Sequence, residues 1–206
     1  KADINTFSVD RDSDDFKELY KSIERFGVRE PVIARFGKDG ELEIISGQRR
    51  HLIGTELNYP IPTIIQRIDD ADAKILVADS NLHRDKISTY DLSRALKMKM
   101  EGMKQKAGRK KKGELGEKLN TDEAIAKEMG ITVSKFNRML RMSEATKDVC
   151  SKVDDGTLAL SIASALSFLK PKNQDMAVRL SDLGYRLSTE RVEYLKRVEK
   201  AGRLTE

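Results

Sequence analysis

Residues 45–51 of this 206-residue chain read Ile-Ser-Gly-Gln-Arg-Arg-His, an apolar run that ends in a glycine and two arginines. A glycine adopts backbone conformations that side chains forbid, and it lets the backbone approach a ligand closely. The guanidinium groups of Arg49 and Arg50 can each hold phosphate oxygens at two points. This chemistry at a strand end predicts an anion-binding site, although a lone Gly-x-Arg-Arg also fits solvated surface charges.

A second polar segment, Asn81-Leu82-His83-Arg84, follows further along the chain. An asparagine supplies an oxygen ligand for a hard cation, and an arginine can hold another phosphate oxygen. The two segments together therefore predict a cradle for phosphate and metal.

The sequence around these segments predicts a compact α+β domain over residues 1–88. Apolar residues at helical spacing indicate the helices, and short alternating runs bounded by Gly and Pro indicate the strands. The predicted order is a helix at 14–26, strands at 31–36 and 41–45 joined by a Gly-rich turn, a helix at 48–57, a strand at 61–67 and a helix at 70–79.

After Ser88 the pattern becomes helical, which predicts an all-α second domain over residues 89–206. Ser88 or Thr89 can cap a helix that runs to about Lys106. Residues 107–117 are rich in Lys and Gly and lack periodicity, so they are expected to form a basic loop.

Residues 121–141 match a helix-turn-helix at several independent positions. Ala126 is small enough for a helix crossing, Gly130 suits the tight turn, and Thr121 and Thr132 can cap the two helices. The alternative is an ordinary helical hairpin.

The predicted second helix exposes residue types that contact base edges or phosphates in a major groove. From Arg94 to Arg141 there are 14 Lys and Arg against 6 Asp and Glu, a local excess of +8 that suits a polyanionic partner. The predicted DNA-binding residues are Thr121, Thr132, Ser134, Lys135, Asn137, Arg138 and Arg141, with Lys110, Lys111 and Lys112 on the basic loop.

Composition excludes several other classes. No run of residues approaches the ~20 apolar positions that a membrane-spanning helix needs, so no membrane association is expected. The single cysteine, Cys150, rules out an internal disulfide framework and fits a reducing cytoplasm. The two histidines and this cysteine lie too far apart in sequence to give a zinc spacing.

The combination of segments resembles the ParB family of chromosome and plasmid partition proteins. The resemblance rests on residues 19–27, 30–32, 44–50 and 81–84 and on the helix-turn-helix that follows them. It covers roughly residues 5–170. It implies a ParB/sulfiredoxin-like amino-terminal domain and a protein that clamps DNA under the control of CTP and Mg²⁺.

The resemblance also implies a role for each matching position. The base and ribose side of the nucleotide would be lined by Gly27, Glu30, Pro31 and Val32. The triphosphate segment would be Gly47, Gln48, Arg49 and Arg50. In the third segment, Ser80 and Asn81 precede Arg84, with Asn81 placing Mg²⁺ and Arg84 contacting phosphate.

Two positions depart from the pattern of the family. Ser80 stands where the family usually has the glutamate that is associated with the metal and with hydrolysis, and Gln48 stands where Glu is common. The resemblance therefore implies that CTP binding persists while hydrolysis is weak or absent.

The implied partners are double-stranded DNA with a palindromic, centromere-like site, a second copy of the chain, and the partition ATPase that the family often uses. The resemblance implies a nucleoid- or plasmid-associated protein of the cytoplasm. Members of the family usually end in a separate dimerisation domain, so two expectations stay open: such a domain lies beyond Glu206, or the protein dimerises through the parts present. Two alternatives stay open: a plasmid-borne transcriptional repressor with a weakened nucleotide switch, and an ATP-using phosphotransferase of the sulfiredoxin or serine-kinase type.

Overall fold

A computed structural model describes residues 4–5, 7–84, 86–108 and 120–203. The described residues form two compact units. One unit comprises residues up to 83 together with residues 101–108, and the other comprises residues 84–100 together with residues 120–203. The domain boundary that the sequence predicts at residue 88 stays a prediction.

The first unit is an α+β structure, and its elements follow the predicted order. In chain order they are α1 (Asp14–Phe26), β1 (Val32–Phe36), β2 (Leu42–Ser46), α2 (Gln48–Glu56), β3 (Thr63–Ile65) and α3 (Asp70–Leu82), joined by the last turns of α4 (Thr89–Gly108).

Local chemistry sets the ends of α1. The Ser13 hydroxyl accepts a hydrogen bond from the Phe16 N–H at 3.3 Å, and Asp14 and Asp15 in the first turn suit the positive end of the helix dipole. Gly27 ends the helix with φ of 72°. The helix packs Phe16 and Ile23 against Ile53 of α2, which makes a small core for the first unit.

The three strands form one sheet in the order β2-β1-β3. Strands β1 and β2 pair antiparallel, with Phe36 opposite Leu42, and β1 pairs parallel with β3. The register between β1 and β2 shifts between Ile33 and Ala34. The antiparallel hairpin carries Ser46, the last residue of β2, directly to the start of α2, where Gly47 lies.

In the second unit every element among residues 84–100 and 120–203 is helical, which confirms the predicted change of fold class. After the start of α4 come α5 (Thr121–Glu128), α6 (Val133–Arg141), a 3-10 turn (Met142–Glu144), α7 (Lys147–Asp154), α8 (Leu160–Leu166), α9 (Pro171–Asp182) and α10 (Thr189–Lys200).

Helix α4 begins at the predicted cap and continues a little further than expected. The Ser88 hydroxyl accepts a hydrogen bond from the Asp91 N–H at 3.1 Å. The helix ends at Gly108 rather than at about Lys106, so the first residues of the predicted basic loop are helical. The rest of that loop, including Lys110, Lys111 and Lys112, lies outside the described residues.

The second unit has a core of its own. Met142, Val149, Leu166 and Val192 are buried there and come from the 3-10 turn and from α7, α8 and α10. Among the residues that the structure describes, no helix is both long and apolar enough to cross a membrane.

Candidate anion cradle and candidate nucleic-acid interface

The candidate anion cradle lies where β2 turns into α2. Gly47 has φ of 92° and ψ of 22°, a left-handed conformation that L side chains rarely adopt. A Cβ atom at Gly47 would lie 3.1 Å from Val32 Cγ2 and 3.3 Å from Val32 Cα. The residue-47 backbone therefore lies directly against β1, and two segments that the sequence assigned to one site are in contact.

An ion pair joins the same two segments a second time. Arg50 Nη1 donates to Glu30 Oε2 at 2.7 Å. The side chain of Arg50 is 22% exposed and that of Glu30 is 80% exposed. The neighbouring Arg49 is half-buried on the first turn of α2. The first turn of α2 thus carries two arginines directly after a glycine, and the guanidinium of Arg50 lies beside that glycine, which is a chemistry suited to binding an anion.

The third predicted segment lies at the end of α3. The Ser80 hydroxyl and the Asn81 amide group both donate to the Val77 carbonyl oxygen, at 2.9 Å and 2.8 Å. These donors therefore make hydrogen bonds within α3 rather than with the other two segments. Arg84 follows α3 at a half-buried position and is the first residue of the second unit.

Two amide oxygens near these segments are unusual. Asn81 is 1% exposed, and its Oδ1 atom accepts no hydrogen bond within the described part of the chain. The same holds for Oε1 of Gln48. A buried acceptor without a donor costs free energy, so such atoms are suited to accept a bond from a ligand group or a cation.

A network of charges fixes the start of α3 on the sheet. Arg35 is buried on β1 and contacts Glu43 at 2.8 Å and Asp70 at 2.9 Å, and Lys38 contacts Asp70 at 2.7 Å. Hydrogen bonds from Lys38 and Arg35 hold the pKa of Asp70 below its ordinary value. Because Asp70 is the first residue of α3, this network positions the helix that carries Ser80 and Asn81.

The chemistry of these residues fits a phosphate-bearing ligand better than a metal bound by protein groups alone. No group of three or more His, Cys, Asp or Glu side chains within the described ranges could hold a metal ion. A nucleotide that brings Mg²⁺ on its own phosphates would suit three features found here. They are a glycine at which a Cβ atom would collide with its neighbour, two arginines, and an amide oxygen without a hydrogen-bond donor.

The candidate nucleic-acid interface is built on α5, α6 and the turn between them. Gly130 in this turn has φ of 64°, the conformation that the sequence predicted for it. Ile125, Ala126 and Phe136 are buried. The Thr132 hydroxyl accepts a hydrogen bond from the Lys135 N–H at 3.2 Å, which confirms Thr132 as the cap of α6.

The predicted cap of α5 is wrong. Thr121 is the first residue inside α5, and Asn120 occupies the capping position without a side-chain hydrogen bond to the helix. The carbonyl oxygen of Asn120 accepts the first helical bonds, from Glu123 and Ala124. Two polar residues in succession gave the sequence no means of deciding which of them caps the helix.

Helix α6 presents a polar, mainly basic face to solvent. Ser134, Lys135, Asn137 and Arg138 are all exposed, as the sequence predicted. Phe136 between them is fully buried, so packing fixes the orientation of the helix. The exposed residues carry the hydrogen-bonding groups that read base edges and grip phosphates.

Arg141 is half-buried and less exposed than these residues, because its guanidinium already has partners, and its contact with phosphate stays a prediction. Its Nε atom donates to Ser167 Oγ at 3.1 Å and its Nη2 atom to the Ser167 carbonyl oxygen at 3.0 Å. The guanidinium also lies 3.9 Å from the centre of the Phe168 ring, and Lys196 Nζ lies 4.4 Å from the same centre. Ser167 caps the end of α8, where carbonyl oxygens have no hydrogen-bond donors within the helix. The Arg141 guanidinium supplies such a donor.

Several lysines counted in the basic middle of the chain are paired with acids. Lys97 contacts Glu144 at 2.6 Å, and the nearly buried Lys99 contacts Glu128 at 2.6 Å. Lys99 thereby ties α4 to the last residue of α5. Glu128 is already among the six acids subtracted in the excess of +8, whereas Glu144 lies beyond the counted range, so its pairing with Lys97 lowers the cationic charge that a polyanionic partner would meet.

Sequence reasoning missed three features of this region. The buried Lys99 and the pairing of Arg141 with Ser167 join positions far apart in the chain, so no local pattern signals them. Phe168, which is 55% exposed, carries two cations on its ring although nothing in the neighbouring sequence marks it.

The described residues define a class of protein: an α+β unit with a candidate anion cradle, followed in the chain by a helical unit. The family model described as the ParB N-terminal domain matches residues 4–82. A relative named nucleoid occlusion protein, from Geobacillus sp. (strain WCH70), is 26% identical over 92% of this chain and 63% of its own length. Residues 4–82 therefore match the ParB N-terminal domain, and the predicted fold class is confirmed.

Two solved structures are among those similar to this chain. A C-terminally truncated chromosome-partitioning protein ParB from Caulobacter crescentus, complexed to the centromeric parS site, is 20% identical with a TM-score of 0.47, covering 94% of this chain and 91% of that one. The same protein complexed with CTP-gamma-S is 23% identical with a TM-score of 0.34, covering 80% of this chain and 84% of that one. The chain spans between about half and two thirds of the length of the curated relatives it matches.

Proposed function

We propose that this protein is a DNA-binding partition protein of the cytoplasm, associated with a nucleoid or a plasmid. It recognises a palindromic, centromere-like duplex as a homodimer and clamps DNA under the control of CTP and Mg²⁺. The observation that carries the DNA part is the exposed basic face of α6, held in orientation by the buried Phe136. A partition ATPase is a further partner that the family suggests.

The residues that would read DNA are those on the exposed face of α6. Lys135, Asn137 and Arg138 would reach base edges, and Ser134 and Thr132 lie near the start of the helix, where phosphates bind. Arg141 is proposed as a phosphate contact from its fixed position beside Ser167 and Phe168. Thr121 and Lys110 to Lys112 stay predictions from the sequence.

The residues that would hold CTP lie around the anion cradle. Gly47, Arg49 and Arg50 suit the phosphates. Glu30 and Val32 contact this turn, whereas Gly27, Pro31 and Arg84 stay predictions from the sequence. The orphaned oxygen of Asn81 is a suitable ligand for Mg²⁺, which would lower the negative charge of the phosphates. Ser80 supplies no carboxylate, so we expect CTP hydrolysis to be weak or absent.

The DNA proposal is tested by selecting binding sites for the whole chain from a random duplex library. We expect a palindromic site to be enriched, and Arg138→Ala to weaken binding to that site by about 1–3 kcal/mol, the value of one good base or phosphate contact. Lys200→Ala removes an exposed charge of the same sign at the end of α10 and serves as the matched control. No enriched site, or equal losses in the two variants, would contradict the proposal.

The nucleotide proposal is tested by calorimetry with CTP, ATP, GTP and UTP in the presence of Mg²⁺. We expect CTP to bind selectively and Arg49→Ala to lose most of that binding, because the guanidinium offers two donors to phosphate oxygens. Arg67→Ala, an exposed arginine after β3, is the control for a general loss of positive charge. Equal affinity for all four nucleotides would remove CTP from the proposal.

A second candidate function is a plasmid-borne transcriptional repressor with a weakened nucleotide switch. The observation that favours it is Ser80, whose hydroxyl is bonded to Val77 and cannot replace a carboxylate. Footprinting separates the two roles, since a repressor protects a promoter while a clamp spreads from its site. A sulfiredoxin-type activity is disfavoured, because burial raises the pKa of the Cys150 thiol to about 12 and this cysteine lies in the helical unit.

A further inference from the structure

The contact between Glu30 and Arg50 places a negative charge of the chain itself in the anion cradle. Glu30 Oε2 lies 2.7 Å from Arg50 Nη1, so the carboxylate already accepts a hydrogen bond from the guanidinium that the cradle would offer to phosphate. A guanidinium has five N–H donors arranged in a rigid plane. One of its donor atoms, Nη1, is therefore in use before any ligand arrives.

The two partners differ in how firmly the fold holds them. Arg50 is 22% exposed, and its Nε atom lies 3.4 Å from the point that a Cβ of Gly47 would occupy, so the arginine lies over the glycine. Glu30 is 80% exposed and stands between α1 and β1, outside any helix or strand. The arginine is thus a fixed part of the cradle, whereas the carboxylate can swing into water.

We propose that Glu30 is a specificity-determining residue of the cradle: an internal anion that competes with ligand phosphate for Arg50. This inference rests on the proposed function, because it concerns the site assigned there to the nucleotide. An anion must displace a carboxylate of one negative charge, so the cradle selects ligands that carry several charges and several acceptor oxygens. Polyphosphates meet this condition, and free carboxylates and singly charged anions do not.

The size of the effect follows from the exposure of the pair. Exposed ion pairs contribute little free energy, because water and salt screen them, and removing the competitor is expected to raise the affinity by about 1.5- to 5-fold. The gain should shrink at high salt for the same reason.

The experiment compares Glu30→Gln with Glu18→Gln by calorimetry, using CTP and inorganic pyrophosphate as probes. Glu18 is an exposed carboxylate on α1, so its variant removes the same charge from the same unit without touching Arg50. We expect Glu30→Gln to bind both probes more tightly than the wild type, and Glu18→Gln to match the wild type. Each titration is run with Mg²⁺ and with a chelator, because a carboxylate that holds a metal would act in the opposite direction.

Every outcome of this comparison decides the inference. Tighter binding by Glu30→Gln alone, with or without Mg²⁺, supports it. Unchanged binding, or an equal gain in Glu18→Gln, overturns it and leaves the proposed function intact. Weaker binding by Glu30→Gln, with or without Mg²⁺, also overturns it, and a loss that appears only with Mg²⁺ makes Glu30 a metal ligand. If the wild type and Glu30→Gln both fail to bind either probe, the inference and the nucleotide part of the proposed function fall together, while DNA binding is unaffected.

Discussion

Replacing Phe136 by alanine is expected to lower the free energy of unfolding of the helical unit by about 3–5 kcal/mol, the usual cost of removing a buried aromatic ring. Phe136 is fully buried and is the only buried residue among those that α6 contributes within Val133–Arg141. Without the ring, α6 loses the contact that orients Lys135 and Arg138. Thermal or chemical unfolding measures the change in the free energy of unfolding. DNA affinity, measured under conditions where the variant stays folded, measures the effect of the lost orientation of α6.

Two variants show whether the effect comes from the ring. Phe136→Leu keeps most of the volume and should cost less than Phe136→Ala. Val133→Ala, at a position that is 37% exposed on the same helix, should stay within about 0.5 kcal/mol of the wild type. A Phe136→Ala protein that unfolds like the wild type and still binds its selected duplex would contradict the account of α6 given above.

Replacing Gly47 by alanine is expected to destabilise the first unit by about 1–3 kcal/mol, because an alanine in a left-handed conformation costs about 1–2 kcal/mol before any collision is counted. The new Cβ would also press on Val32, which lies within 3.1–3.3 Å of that point. The wall of the anion cradle must then move. We expect this movement to cost about 1.4 kcal/mol or more of CTP binding free energy, which is a tenfold or larger loss of CTP affinity. Chemical unfolding and calorimetry measure the two effects.

Gly40→Ala provides the matched comparison. Gly40 lies in the hairpin turn of the same unit, has φ of 83°, and has no atom within 4 Å of the point that a Cβ would occupy. It should therefore show the cost of the conformation without the collision and should leave CTP binding unchanged. Equal losses of CTP binding in both variants would mean that destabilisation alone, rather than the geometry of the cradle, explains the Gly47 result.

The order of the elements could be predicted because each one has a local signal. The spacing of Phe16 and Ile23 marks α1, and the Gly-rich turn at residues 37–40 separates two alternating strands. Gly47 and Gly130 were predictable for the same reason, since a tight turn restricts the residue that can occupy it. Strand β3 is shorter than predicted and comprises Thr63–Ile65. The neighbouring Pro62 and Gln66 still hydrogen-bond to Val32 and Ala34 of β1 through their backbones, at 2.8 Å and 2.9 Å.

What the sequence could not supply are the contacts between distant positions. Glu30 and Arg50 were both assigned to one site, yet nothing in their spacing showed that they neutralise each other. Arg141 was expected on the open face of α6 because helical periodicity gives its direction. Periodicity does not show that Ser167 lies within hydrogen-bonding distance of the Arg141 guanidinium. Contacts between side chains that are distant in sequence depend on tertiary packing, so only the folded structure reveals them.

The ion pairs of α4 change how the DNA interaction should depend on salt. A protein that neutralises phosphates displaces the cations condensed on the duplex, and each displaced cation steepens the loss of affinity with ionic strength. Lys97 and Lys99 already have Glu144 and Glu128 as partners. Such lysines displace few counterions, so the salt dependence should reflect only the basic groups that remain open to the duplex, a smaller number than the composition of the chain suggests.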